Sequence, residues 1–216
     1  MTVDTVRKFV DQSLAVNKAW RRIRVLGGEP TLHPEFQNII DELLRYKGVH
    51  QGCIVEVVTN GYGQRVQTIL SQLPEEVMVD NSEKESPVQV HFGPFNLAPQ
   101  DDASFDGADY TNGCAVIEEC GMGLTPMGYY PCAVAGGIDR ILGEGIGVPD
   151  LPADEDDMLP AVDRLCRLCG RFRDGHFVPR ILREPVKGAP MSPTWGRLYD
   201  EWHARRRSAS KGGEDK

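Results

Sequence analysis

Residues 22–34 read Arg22-Ile23-Arg24-Val25-Leu26-Gly27-Gly28-Glu29-Pro30-Thr31-Leu32-His33-Pro34. Ile23, Val25 and Leu26 predict a short buried strand over 22–26, and the glycine pair lets the chain turn without Cβ clashes. Glu29 then falls at the carboxyl end of that strand, where parallel α/β sheets place their ligands. Pro34 suits the first turn of a following helix. A tight turn carrying a solvated glutamate would account for the same letters.

On the amino-terminal side, Val3, Val6, Val10 and Leu14 recur at helical steps, predicting a helix over 3–20 with Thr2 as its N-cap. On the carboxyl side, Phe36, Ile39, Ile40, Leu43 and Leu44 form one apolar face of a helix over 34–46. Residues 53–59 (Cys-Ile-Val-Glu-Val-Val-Thr) are rich in β-branched side chains and predict a buried strand closed by Asn60-Gly61, with Cys53 a small core residue. Val66, Ile69, Leu70 and Leu73 mark another helix, Val77-Met78-Val79 a strand, and the alternation of Val88, Val90 and Phe92 one more. Helices alternating with strands predict parallel βα units, hence an α/β fold. The series opens on a helix where a βα series opens on a strand, which suits either a protein that starts on a helix or a fragment of a longer chain.

The formal charge is −8, which argues against a nucleic-acid partner, whose phosphates require a basic face. No apolar run is long enough to span a bilayer and no signal-peptide pattern opens the chain, so no membrane partner and a cytoplasmic location are expected. Five of the six cysteines (Cys53, Cys114, Cys120, Cys132, Cys166, Cys169) fall between 114 and 169, and such clustering without a secretion signal points to metal ligation rather than disulfides. Cys166-Arg-Leu-Cys169 is a Cys-x2-Cys knuckle, and Gly128-Tyr-Tyr-Pro-Cys132 adds a thiol behind a glycine turn, with Cys114 upstream. Four thiolates suit a four-iron cluster or a zinc ion, and ligand type alone does not separate them. A zinc ribbon offers two such knuckles where this chain has one, which favours iron–sulfur. The acidic run within 149–160 lacks a glycine in calcium-loop register and reads as a solvated loop. Trp195, Leu198, Tyr199 and Trp202 predict a last helix packed through its aromatic stripe, followed from Arg205 by a disordered tail.

Gly27-Gly28-Glu29-Pro30 resembles the turn with which radical S-adenosylmethionine (SAM) enzymes hold the amino group of SAM. The pattern Cys114…Gly128-x3-Cys132…Cys166-x2-Cys169 is similar to the twitch or SPASM auxiliary-cluster region appended to many of them. Thr59-Asn60-Gly61 matches the end of a family strand that faces SAM, and Asn81-Ser82 the end of the next. The resemblance implies a partial (β/α)6 TIM-like barrel missing its first strand over 1–95 and a small cysteine-rich cluster domain over 96–180. A C-terminal helix and tail over 181–216 would follow. It implies Gly27, Gly28, Glu29, Pro30, Thr59, Asn60, Asn81 and Ser82 as SAM-binding residues, and Cys114, Cys132, Cys166 and Cys169 as ligands of an auxiliary [4Fe–4S] cluster. Cys120 is left as a substitute ligand or a buried spectator. The full SPASM pattern has further cysteines after the knuckle, and none follows Cys169 here.

The family's Cys-x3-Cys-x2-Cys triplet, which holds the catalytic cluster, occurs nowhere in these residues. SAM binding is therefore expected to be weakened, and the chain as written is expected not to cleave SAM. With the triplet supplied, the resemblance implies an oxidoreductase or maturase that abstracts a hydrogen atom from a peptide or small-molecule substrate. It would be served by an electron donor such as flavodoxin or ferredoxin. His91, Asp101, Asp102 and Asp109 are polar residues that could meet a substrate, or solvated loop residues. The alternative to an enzyme is a non-catalytic iron–sulfur or zinc module. An upstream reading frame encoding the triplet would favour the enzyme; a stop codon ahead of Met1 would favour the module.

Overall fold

The computed structural model describes residues 1–84, 96–174 and 191–211, with side chains at 209–211 excepted. The chain is mixed α/β with a small parallel sheet, and it divides into two compact units, Met1–Gln89 and Val90–Lys216. The strand predicted around Val88, Val90 and Phe92, and His91 with it, lies outside the described residues.

In the first unit, helix α1 (Val3–Ala15) starts as predicted, with Thr2 Oγ1 accepting the Thr5 N–H at 3.3 Å. It stops five residues short of the prediction, because Asn17 takes a positive φ of 51° and sends the chain back along the helix. The Trp20 indole N–H then donates to Ser13 Oγ at 2.9 Å, and its ring packs 5.7 Å from that of Phe9. This return explains why the buried face is Val6, Phe9, Val10 and Ser13 rather than one reaching Val3 and Leu14.

Strands β1 (Arg22–Val25), β2 (Ile54–Thr59) and β3 (Val77–Asn81) form a parallel sheet in that order, with Val25 opposite Val57 and Thr59 opposite Asn81. Among the described residues only β2 is flanked on both sides, and its Val55 and Val57 are fully buried, as the β-branched run predicted. The prediction of a buried β1 fails for the same reason. As an edge strand it leaves Arg22 exposed and Ile23, Arg24 and Val25 half-buried, and Leu26 beyond it is 48% exposed. In β3 only Val77 is buried. Helix α2 (Phe36–Val49) buries Phe36, Ile39, Ile40, Leu43 and Tyr46. The Tyr46 hydroxyl donates to the Lys18 carbonyl (2.5 Å) and accepts the Trp20 N–H (2.9 Å), pinning the return from α1. Pro34 lies ahead of α2; the proline used at a helix start is Pro30, opening a single 3₁₀ turn over Pro30–Leu32. Cys53 is buried beside β2, as expected, and α3 (Gln64–Leu70) buries Val66.

Among the described residues, the second unit opens with three 3₁₀ turns. Asp102 and Asp109 cap two of them through the N–H groups of Ser104 and Thr111, while Asp101 accepts the Thr194 N–H at 2.8 Å and its hydroxyl at 2.6 Å. All three aspartates weighed as substrate contacts are thus engaged as caps. Helix α4 (Ala115–Cys120) leads into an antiparallel hairpin, β4 (Gly123–Thr125) and β5 (Gly128–Tyr130), then α5 (Ala135–Leu142), α6 (Leu159–Cys166) and α7 (Gly170–Asp174). Helix α8 (Pro193–Lys211) docks Trp195 and Leu198 into a core with Tyr130, Ile138, Leu165 and Leu168, and the Trp195 indole N–H donates to the Leu168 carbonyl at 2.6 Å. Its aromatic stripe is packing, as predicted. The helix also continues past Arg205, where composition predicted disorder. Arg205 reaches the Ile141 and Leu142 carbonyls at the end of α5, and Arg206 lies 4.9 Å over the Trp202 ring.

Candidate functional site

Each unit carries one constellation. In the first, the carboxyl ends of the three parallel strands bring together the polar residues singled out from sequence. Glu29 follows β1 and accepts four donors from its own chain. Its Oε1 takes the Thr31 N–H (3.2 Å) and the Thr31 hydroxyl (2.7 Å), and its Oε2 takes the Asn60 N–H (2.8 Å). The Thr59 hydroxyl reaches both oxygens, at 3.0 and 2.9 Å. A carboxylate offers about four lone-pair sites, so the chain itself fills them. Burial would raise the Glu29 carboxyl, but the bonds from Asn60, Thr31 and Thr59 outweigh it and hold the group below the usual carboxylate range.

The third strand joins through Ser82, whose N–H (2.9 Å) and hydroxyl (3.1 Å) donate to the Thr59 carbonyl. Asn81 lies opposite Thr59, and its side chain fills the space where any Cβ on Gly61 (φ 63°) would sit, so Gly61 is required there twice over. Pro30 is buried at the base of the turn. Gly27 and Gly28 behave differently. Both are exposed, and a Cβ added at either meets nothing within 4 Å. The fold therefore gives no steric reason for that pair, contrary to the expectation that the turn needs it.

Sequence reasoning missed two participants. Thr31 supplies two of the donors to Glu29, and its signal was an acid followed two residues later by a hydroxyl, the local pattern of a capped turn. Glu56, only 4% exposed on the central strand, pairs with Arg24, which also reaches Asp80 at 3.3 Å. Its signal was a lone carboxylate in a β-branched run facing two arginines at alternate positions of the neighbouring strand.

In the second unit, Cys114, Cys132, Cys166 and Cys169 all line one apolar cavity, with Ile117, Ile138, Val162 and Leu165 among its walls. Four separate elements deliver them. Cys114 precedes α4, Cys132 lies between β5 and α5, Cys166 ends α6, and Cys169 precedes α7. The knuckle closes as the Cys169 N–H donates to the Cys166 carbonyl at 3.2 Å. Cys120, at the far end of α4, does not line the cavity, and Cys53 belongs to the other unit.

All six cysteines are free thiols. Burial is the main force raising Cys132, Cys166 and Cys169, with Cys169 pushed up to about 12, and charge on neighbouring cysteines raises each further. Backbone N–H groups oppose this: those of Ala135 and Val134 reach the Cys132 sulfur, and those of Arg171 and Phe172 the Cys169 sulfur. Among the described residues, no three His, Cys, Asp or Glu side chains are gathered closely enough to hold a metal ion. A tetrahedral ion at about 2.3 Å from each sulfur would need the thiols drawn further inward. The donor set itself fits a soft metal group: four thiols, an apolar wall and N–H groups already directed at two sulfurs.

Among the described residues, no helix is long and apolar enough to cross a membrane. No protein-family model matches the chain, and neither a curated protein nor a solved structure matches it, so what these two constellations do must be argued from their own residues.

Proposed function

We propose that the chain is an iron–sulfur protein of the radical SAM type, holding an auxiliary [4Fe–4S] cluster through Cys114, Cys132, Cys166 and Cys169. The observation that carries this reading is the selection of cysteines. The four that the resemblance singles out line one cavity, while Cys120 and Cys53 do not line it. Thiolate ligation releases protons, which burial of the free thiols otherwise retains, so metal uptake and the closing of this unit are coupled. Bound there, the cluster would supply a one-electron couple.

The strand-end constellation supports the other half of the proposal, a SAM-binding surface on a partial (β/α)6 barrel. Three parallel strands carry Glu29, Thr59-Asn60 and Asn81-Ser82 at their carboxyl ends, next to a glycine pair that the fold does not require. For an ammonium group to reach Glu29, a present donor must yield. The Thr59 hydroxyl, divided between both oxygens, is the one that can turn away. The chain's own contribution would be to orient SAM; no Cys-x3-Cys-x2-Cys exists in these residues to bind a cleaving cluster.

That saturation of Glu29 favours a second reading, a module that holds iron–sulfur or zinc without catalysis. Anaerobic purification with iron, sulfide and zinc analysis tests the central claim. Iron and sulfide with broad absorbance near 400 nm are expected; a colourless protein with stoichiometric zinc refutes it. A peptide or small-molecule substrate, and a flavodoxin- or ferredoxin-like electron donor, follow only from the radical SAM reading.

A further inference from the structure

Helix α1 lies alongside α2 and runs in the same direction. Arg7 donates to Glu42 and Arg45 to Asp11, each at 2.7 Å, so the contacts advance together along both helices. Helix α2 joins β1 to the parallel strand β2, and α1 leads into β1 in the same order. Crossovers between parallel strands keep one hand, so a helix packed beside α2 and feeding β1 stands where it would cover a further strand on the outer edge of β1. Among the described residues no strand pairs with that edge. Cover on the helix-facing side is incomplete there. Ile23 and Val25 lie opposite the fully buried Val55 and Val57 yet are only half-buried, and so are Val3 and Leu14 of α1.

The other face of β1 carries Arg22 and Arg24, which both approach the single buried carboxylate of Glu56, and Arg21 ahead of them is exposed. A second copy of this chain suits the edge badly. Two β1 strands paired about a two-fold axis would set Arg22 and Arg24 against the arginines of the other copy. A strand with carboxylates at alternate positions meets both faces, its acids beside Arg22 and Arg24 and its intervening apolar residues beneath α1.

We propose that the outer edge of β1 is a docking site for an extended strand of a partner polypeptide in which acidic and apolar residues alternate. Main-chain pairing supplies the affinity, and the arginines select the sequence. The site depends on α1 and β1 alone, so it exists whether or not the thiol cavity takes a metal or the strand ends take SAM.

The test adds an excess of one of two capped peptides, Thr-Val-Glu-Val-Glu-Val-Thr or Thr-Val-Lys-Val-Lys-Val-Thr, to the full chain and follows hydrogen exchange by mass spectrometry. Exchange over residues 20–27 should slow with the Glu peptide and not with the Lys peptide, while residues 77–81 of β3 stay unchanged. Arg22 is exposed, so its substitution leaves the fold in place. Arg22→Glu should reverse the preference between the peptides, and Arg22→Gln should weaken it. No slowing with the Glu peptide, equal slowing with both, or an unaltered preference in the two Arg22 variants overturns the proposal. Protection of residues 20–27 that rises with protein concentration alone, together with the mass of a dimer, also overturns it, because a second copy would then hold the edge.

Discussion

The strand-end carboxylate and the four-thiol cavity treat their reactive groups in opposite ways. Glu29 is ionised and fully provided with donors from Thr31, Thr59 and Asn60, so that constellation is complete as folded. The cavity gathers four thiols from four elements around an apolar space, where burial pushes those of Cys132, Cys166 and Cys169 up. One region spends its polar groups on holding strand ends together. On the proposed reading, the other keeps its sulfurs for a metal group. Stability should therefore respond to metal in the second unit and to internal hydrogen bonding in the first.

The largest expected effect is on the cavity. Replacing Cys169 by Ala should abolish metal retention, and chelation of the wild type should lower the unfolding temperature of the second unit, because a group bound only to the folded state stabilises it in proportion to its affinity. The Cys53→Ala protein should keep the full metal content. Inductively coupled plasma analysis with calorimetry checks all three, and full metal in the Cys169→Ala variant would remove that residue from the ligand set. Next comes the frame around Cys132. Asp139 is fully buried and accepts the Tyr130 hydroxyl (2.7 Å) and the N–H groups of Gly145 (3.2 Å) and Ile146 (2.8 Å). Asp139→Ala strands the buried Tyr130 hydroxyl and leaves the Gly145 and Ile146 N–H groups without this acceptor, and a loss of about 3 kcal/mol is expected in urea unfolding.

Glu29 gives a smaller effect with a distinct pH signature. Glu29→Ala should cost about 2 kcal/mol at neutral pH, since charged hydrogen bonds are lost and the Thr31 and Asn60 N–H groups lose their acceptor. The folded carboxyl titrates below its unfolded value. Its contribution is therefore present above the ordinary carboxylate range near 4.5 and is lost as pH falls through the depressed folded value. Acid unfolding curves of wild type and Glu29→Gln should accordingly differ above that range and converge below it. Curves that stay parallel to the lowest pH would show that Glu29 carries no such linkage.

The elements that could be read from sequence were those whose burial is set by their own pattern. The apolar face of α2 and the β-branched run of β2 are packed on the sides their spacing indicates, and the four cysteines that the resemblance singled out do share a cavity. What escaped depended on neighbours. Leu26 and Val79 look like core in a strand pattern, yet both are exposed because their strands lie at the sheet's edges among the described residues. The return at Asn17 and the continuation of α8 beyond Arg205 are settled by distant partners, Tyr46 and the α5 carbonyls, which no local window contains. Glu29 was placed at the correct strand end, but its donors come from a residue two positions on and from another strand.

Gly27 and Gly28 provide the smallest stability effect and the sharpest functional one. With no positive φ and nothing within 4 Å of an added Cβ, Gly27→Ala and Gly28→Ala should change stability by no more than about 0.5 kcal/mol, in contrast to Gly61→Ala, whose Cβ would overlap the Asn81 amide. If the pair exists only to turn the chain, nothing else should change. If it exists so that a ligand can lie against bare backbone beside Glu29, the methyl groups should weaken SAM binding to the full chain, measured by equilibrium dialysis, while the unfolding curve stays in place. Weaker binding at unchanged stability is the expected result. Equal binding by wild type and both variants would confine Glu29 to its structural role, leaving the thiol cavity as the one functional constellation of the two.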